Sequence, residues 1–130
     1  MGHGLRPVKL RALVDSPGHT VLVVDDDPSI RLLCRINLEL DGWTVREAGG
    51  LDDARAQAAD VDVVVLDVHV GSGSGIDLLQ ELRRDHPHVK VAMLTGDDRV
   101  QNVESDAVIT KPFTIDQLTS TVASLAPSGG

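Results

Sequence analysis

Five short apolar runs, four of them rich in β-branched residues, recur along the chain: TVLVVD (20–25), WTVREA (43–48), DVVVL (62–66), VKVAML (89–94) and AVIT (107–110). Segments with apolar residues at three- and four-residue spacing lie between them. This alternation constrains the fold more than any other feature. Successive strands joined by helical crossovers run parallel, and the crossovers cover both faces of the sheet. The runs at 21–25 and 62–66 are almost continuously apolar, as central strands buried on both faces should be.

The helical segments carry their own punctuation. Pro28 suits a first helical position with Asp27 as its N-cap, and Ile30, Leu33, Cys34, Asn37 and Leu40 follow at inward-facing spacing until Gly42 ends the helix. A second helix is expected over 51–59 with Ala54 and Ala58 inward, and a third over 75–85 using Ile76, Leu79 and Leu82. The last spans about 114–125, capped by Thr114, with Ile115, Leu118, Val122 and Leu125 on one stripe. Only twelve residues separate Leu94 from Ala107, room for about two helical turns at most.

One core is what 130 residues can build. With Trp43 and Phe113 as the only aromatic residues, that core is made of Val, Leu, Ile and Ala. No apolar run approaches the ~20 residues of a membrane span. The single cysteine, Cys34, excludes an internal disulfide and fits a reducing compartment, so a cytoplasmic location is expected. The net charge of −8 opposes direct binding to nucleic acid or anionic membranes. Residues 1–19 carry Arg6, Lys9 and Arg11 against Asp15, a net of +2, leaving −10 on the rest. They are expected to be a flexible N-terminal extension, residues 20–126 the domain, and 127–130 a disordered tail.

In doubly wound sheets ligands bind at the carboxyl ends of the strands. Here those ends carry Asp25 and Asp26, then Asp67, Thr95 and Lys111. Clustered carboxylates need a compensating cation, and hard oxygen donors suit Mg²⁺. A carboxylate can act as a nucleophile and form an aspartyl-phosphate. A lysine and a hydroxyl are what the oxygens of a transferring phosphoryl group require.

Over residues 20–126 the chain resembles the receiver domains of two-component response regulators. The likeness is carried by VLVVDDDPSIR (21–31), VVVLDVHVGSGSGIDLL (63–79), MLTG (93–96) and DAVITKPF (106–113). It implies a flavodoxin-like (βα)5 three-layer α/β sandwich, its parallel sheet in order 2-1-3-4-5. It also implies that Asp67 accepts a phosphoryl group from a histidine kinase or histidine phosphotransfer protein. Asp26, Asp67 and the backbone carbonyl of His69 would hold Mg²⁺, Asp25 acting largely through a metal-bound water. Thr95 and Lys111 would bind the phosphoryl group, and the Lys111–Pro112 peptide would be cis. Such a protein catalyses only its own phosphorylation and dephosphorylation, and a homodimer stays open.

Four departures from the family stand out. Val108 occupies the place of an inward-turning aromatic, so the switch is atypical. The stretch between Thr95 and Lys111 is short, leaving a rudimentary fourth helix. Gly71 stands where a proline is usual, within GSGSG, expected as a mobile loop. The His69 side chain borders the acceptor, where it either influences the attacking water or merely faces solvent. The sequence suits a stand-alone receiver or one excised from a longer regulator. Two alternatives remain: a degenerate receiver that binds partners without phosphorylation, and a haloacid-dehalogenase-type phosphatase reading Asp25-Asp26-Asp27 as its first motif.

Overall fold

Short runs rich in apolar and β-branched residues lay five strands side by side: β1 (Thr20–Val24), β2 (Thr44–Ala48), β3 (Val63–Asp67), β4 (Lys90–Thr95) and β5 (Ala107–Thr110). They form a parallel sheet in the order β2-β1-β3-β4-β5, as expected. The computed structural model describes residues 19–96 and 104–127. Four α-helices lie among those residues: α1 (Pro28–Leu40), α2 (Leu51–Gln57, continued as a 3-10 turn over Ala58–Asp60), α3 (Gly75–Asp85) and α4 (Ile115–Ser124). The basic arm and most of the terminal tail lie outside the described residues. So do residues 97–103, where the rudimentary helix between β4 and β5 was expected.

Alternation along each strand divides the core in two. Val21 and Val23 of β1, with Val63 and Val65 of β3, meet Cys34 and Leu38 of α1 and Leu118 and Val122 of α4. Leu22, Val24, Val64 and Leu66 face the other way, onto Ala54 of α2 and Leu78, Leu79 and Leu82 of α3. Every residue of β3 is buried, so neither face of that strand tolerates a polar side chain except at its end.

The caps behave as the sequence suggests. Asp27 accepts a hydrogen bond from the Ser29 amide at 2.8 Å with Pro28 opening α1. Thr114 and Gln117 form a reciprocal capping box on α4. Gly42 turns the chain after α1 with φ 99°, a left-handed conformation that suits glycine.

One expectation about α1 needs correction. Leu33 and Leu40 do not enter the core: they are 39% and 45% exposed, alongside Leu32 at 55% and Ile36 at 49%. Ile30, Cys34 and Leu38 face the sheet instead. The helix carries two apolar stripes, and periodicity alone does not say which one the sheet covers. Ile115, also expected inward, sits at the solvent edge of α4 at 36% exposure.

Candidate functional site

The carboxyl ends of β1 and β3 deliver their polar residues to one place because both strands stop at the same level of the sheet. Val24 pairs with Leu66 in register, so Asp25 and Asp67 follow side by side. Asp25 is 1% exposed and Asp67 8%, whereas Asp26 faces solvent. One carboxylate oxygen from each of Asp25, Asp26 and Asp67 lies within 4.8 Å of the others, the arrangement a cation would require. His86 and His88 pack edge to face in the turn between α3 and β4, their ring centroids 6.2 Å apart.

Lys111 completes the cluster from the end of β5. Its Nζ lies 3.4 Å from Asp25 Oδ2 and 3.6 Å from Asp67 Oδ2. Thr95, the last residue of β4, is 4% exposed and its carbonyl accepts the Lys111 amide at 2.7 Å. The hydroxyl and the ammonium are therefore held on adjacent strand ends. The Lys111–Pro112 peptide is cis.

Around these groups the backbone is pinned by several hydrogen bonds. The Asp25 amide donates to the Ala48 carbonyl at 3.1 Å, and Asp25 Oδ1 accepts from the Asp27 amide at 2.9 Å. The Asp25 carbonyl accepts from Arg31 Nη1 at 2.6 Å, and Arg31 Nε also reaches Glu47 at 3.2 Å. Sequence reading did not single out Arg31. Its position one turn into α1, directly over the end of β1, was the available signal.

Burial raises the Asp67 carboxyl above its usual range, and the neighbouring Asp25 charge raises it further; Lys111 and the His69 amide pull the other way. A third carboxylate, Asp26, adds to the upward shift. Three carboxylates here share the one Lys111 ammonium, so the group is short of positive charge. Hard carboxylate oxygens around a charge deficit fit Mg²⁺, which keeps several of its waters and accepts few protein ligands.

The GSGSG run is not an irregular loop. His69–Val70 pairs with Gly73–Ser74 as a short antiparallel hairpin. Val70 is buried at 3% exposure, and a Cβ on Gly73 would stand 2.5 Å from Leu51 Cδ1, so the hairpin is seated on the core. Gly75 must be glycine: a Cβ there would overlap the Asp67 carbonyl oxygen. The His69 side chain is exposed, and its amide approaches Asp67 Oδ1 at 3.4 Å. Val108 is 43% exposed on β5 and borders a groove of about 320 Å³ lined also by Thr110, Pro112 and Gln117.

This geometry has close counterparts. The sequence profile of the response regulator receiver domain matches residues 21–123. The probable transcriptional regulatory protein TcrX of Mycobacterium tuberculosis is 38% identical over 107 residues, covering 76% of this chain and 46% of that protein. The chain therefore spans about half the length of this curated relative. Among solved structures, the chemotaxis response regulator CheY4 of Vibrio cholerae superposes with a TM-score of 0.74 at 27% identity, covering 82% of this chain and 98% of that one. Response regulator TrrA of Thermotoga maritima, solved in complex with Mg²⁺–BeF, superposes at 0.76 with 27% identity, again over 82% and 98%.

Proposed function

Because the chain belongs to the response regulator receiver domain family, we propose that it is a phosphorylatable switch whose acceptor is Asp67. The observation that carries this reading is the meeting of three carboxylates, a buried threonine and a lysine at one sheet edge. An Asp67 oxygen attacks the phosphorus of a phosphohistidine on a kinase or phosphotransfer protein. The O–P bond forms as the donor's N–P bond breaks, leaving an aspartyl-phosphate. Asp26, Asp67 and the His69 carbonyl would hold Mg²⁺, with Asp25 acting largely through a metal-bound water, and the ion would supply positive charge to the phosphoryl oxygens. The Lys111 ammonium, already within 3.6 Å of Asp67, pairs with one of those oxygens. The Thr95 hydroxyl takes another.

The Mg²⁺–BeF complex of the relative TrrA supports the metal assignment by analogy. The chain acts on no separate substrate in this reading, and its output is a change in what it binds. With Val108 in place of a ring, the change at Thr95 has to be passed on through β5 backbone and the adjoining groove. The exposed stripe of Leu32, Leu33, Ile36 and Leu40 begins little more than a turn beyond Asp26 and Asp27. A donor that brings a histidine to Asp67 must rest on the surface around it, and among the described residues this stripe offers apolar area for that contact.

Incubation with acetyl phosphate and Mg²⁺, followed by intact mass measurement, tests the reading. One phosphoryl adduct on the wild type and none on Asp67→Asn is the expected result. No wild-type adduct, with amide spectra unchanged by beryllofluoride, would favour a degenerate receiver that binds partners without phosphorylation.

A further inference from the structure

The turn of the hairpin after Asp67 does something that its glycine-rich sequence does not advertise. The Gly71 amide donates a hydrogen bond of 3.0 Å to Asp26 Oδ2, across 45 positions of chain. Asp26 is the exposed member of the acidic trio, and solvent alone would leave its side chain free to rotate. Gly71 has φ 61°, in the left-handed region, so its N–H direction depends on a conformation that most residues resist.

The donor is held from both sides. Val70 is buried beside it, Val70 pairs with Gly73, and Gly73 sits against Leu51. The Gly75 amide closes the hairpin base on the Val68 carbonyl at 2.6 Å. The N–H thus belongs to a hairpin that these contacts tie to the core. Its hydrogen bond limits rotation of the Asp26 carboxylate, one oxygen of which lies within 4.8 Å of oxygens of Asp25 and Asp67.

We propose that the Gly71 backbone amide is a positioning donor for the metal site, fixing Asp26 so that it binds Mg²⁺ with less loss of side-chain freedom. The inference rests on the Mg²⁺ reading above and adds a group outside the ligand set. Hydrogen bonds to ligating carboxylates are commonly worth tenfold or more in metal affinity, and solvent at Asp26 puts the value here near the lower end.

Calorimetric Mg²⁺ titration of wild type, Gly71→Pro and Gly71→Asn separates the possibilities. Proline lacks the N–H and fixes φ near −65°, so about a tenfold loss of affinity is expected. Asparagine keeps the N–H and tolerates the left-handed conformation, so its affinity should stay within about threefold of wild type. Wild-type affinity in Gly71→Pro, or an equal loss in both variants, overturns the proposal. A wild type that binds no Mg²⁺ overturns the metal reading, and this inference with it. Should the proline variant fail to fold, hydrogen exchange of the wild-type Gly71 amide decides. Protection lost in Asp26→Ala is expected, and exchange at the rate of a free amide in the wild type refutes it.

Discussion

Replacing Lys111 by methionine keeps the length of the side chain and removes the cation that touches both buried carboxylates. At 3.4 and 3.6 Å, each contact represents a gross attraction of about 5 kcal/mol at an effective dielectric of about 20. Desolvation of the three groups offsets most of that. The Lys111 side chain is 31% exposed, so water screens part of the remainder. A net loss of about 1–3 kcal/mol at neutral pH is expected, read by urea denaturation.

The sign of its pH dependence follows from Asp67. Its folded-state pKa is already raised, first by burial and then by Asp25. Losing Lys111 raises it further. A carboxyl with a raised folded pKa favours the folded state below its unfolded value, and that contribution disappears as pH rises through the folded pKa. The variant's deficit should therefore be largest at neutral pH and shrink as pH falls towards the carboxylate range. Removing a positive charge should also tighten Mg²⁺ binding by several-fold, so that saturating Mg²⁺ restores much of the lost stability. A deficit that is the same at pH 7 and in acid, or weaker Mg²⁺ binding in the variant, would refute this electrostatic account.

Four further outcomes are expected. Asp27→Ala should cost about 1 kcal/mol through loss of the cap to the Ser29 amide, with Mg²⁺ affinity unchanged in the same calorimetric titration; equal loss of metal binding to Asp26→Ala would show that Asp27 is more than a cap. Gly75→Ala drives a methyl into the Asp67 carbonyl and Leu66, and thermal denaturation should show at least about 1–3 kcal/mol of destabilisation. Burial, aided by the Asp25 charge, pushes the Cys34 thiol up to about 12, so the native protein at pH 8 should resist alkylation that labels the urea-unfolded chain within minutes. Ile36→Arg, at a position 49% exposed, should slow transfer from a phosphohistidine donor at least about tenfold, while phosphorylation by acetyl phosphate and thermal stability keep their wild-type values. Equal slowing with both donors would remove the apolar stripe from the docking surface.

Much of this protein was legible in the sequence because its signals are local. Strand and helix order follow from periodicity, and the five polar residues at strand ends follow from where apolar runs stop. Asp27 and Thr114 announce helix starts through short-range hydrogen bonds to backbone amides, and Pro28 does so through a fixed φ that suits the first helical position. Two apolar stripes on α1, however, look alike in sequence. Only packing on β1 and β2 determines that Cys34 and Leu38 are covered while Leu33, Ile36 and Leu40 are left outside.

The same division runs through the site. That Asp25, Asp26, Asp67, Thr95 and Lys111 share one edge is implied by a parallel sheet, since every strand ends on the same side. How they touch is a tertiary matter. Lys111 lies between two carboxylates 86 and 44 residues away in the chain, Arg31 holds the Asp25 carbonyl, and Gly71 aims its amide at Asp26. Those contacts depend on the relative height of β1, β3 and β5 and on a hairpin seated against Leu51. Sequence determined which chemical groups reach the sheet edge; only the packed structure decided which of them compensate one another, because charge pairing depends on distances that no spacing along the chain encodes.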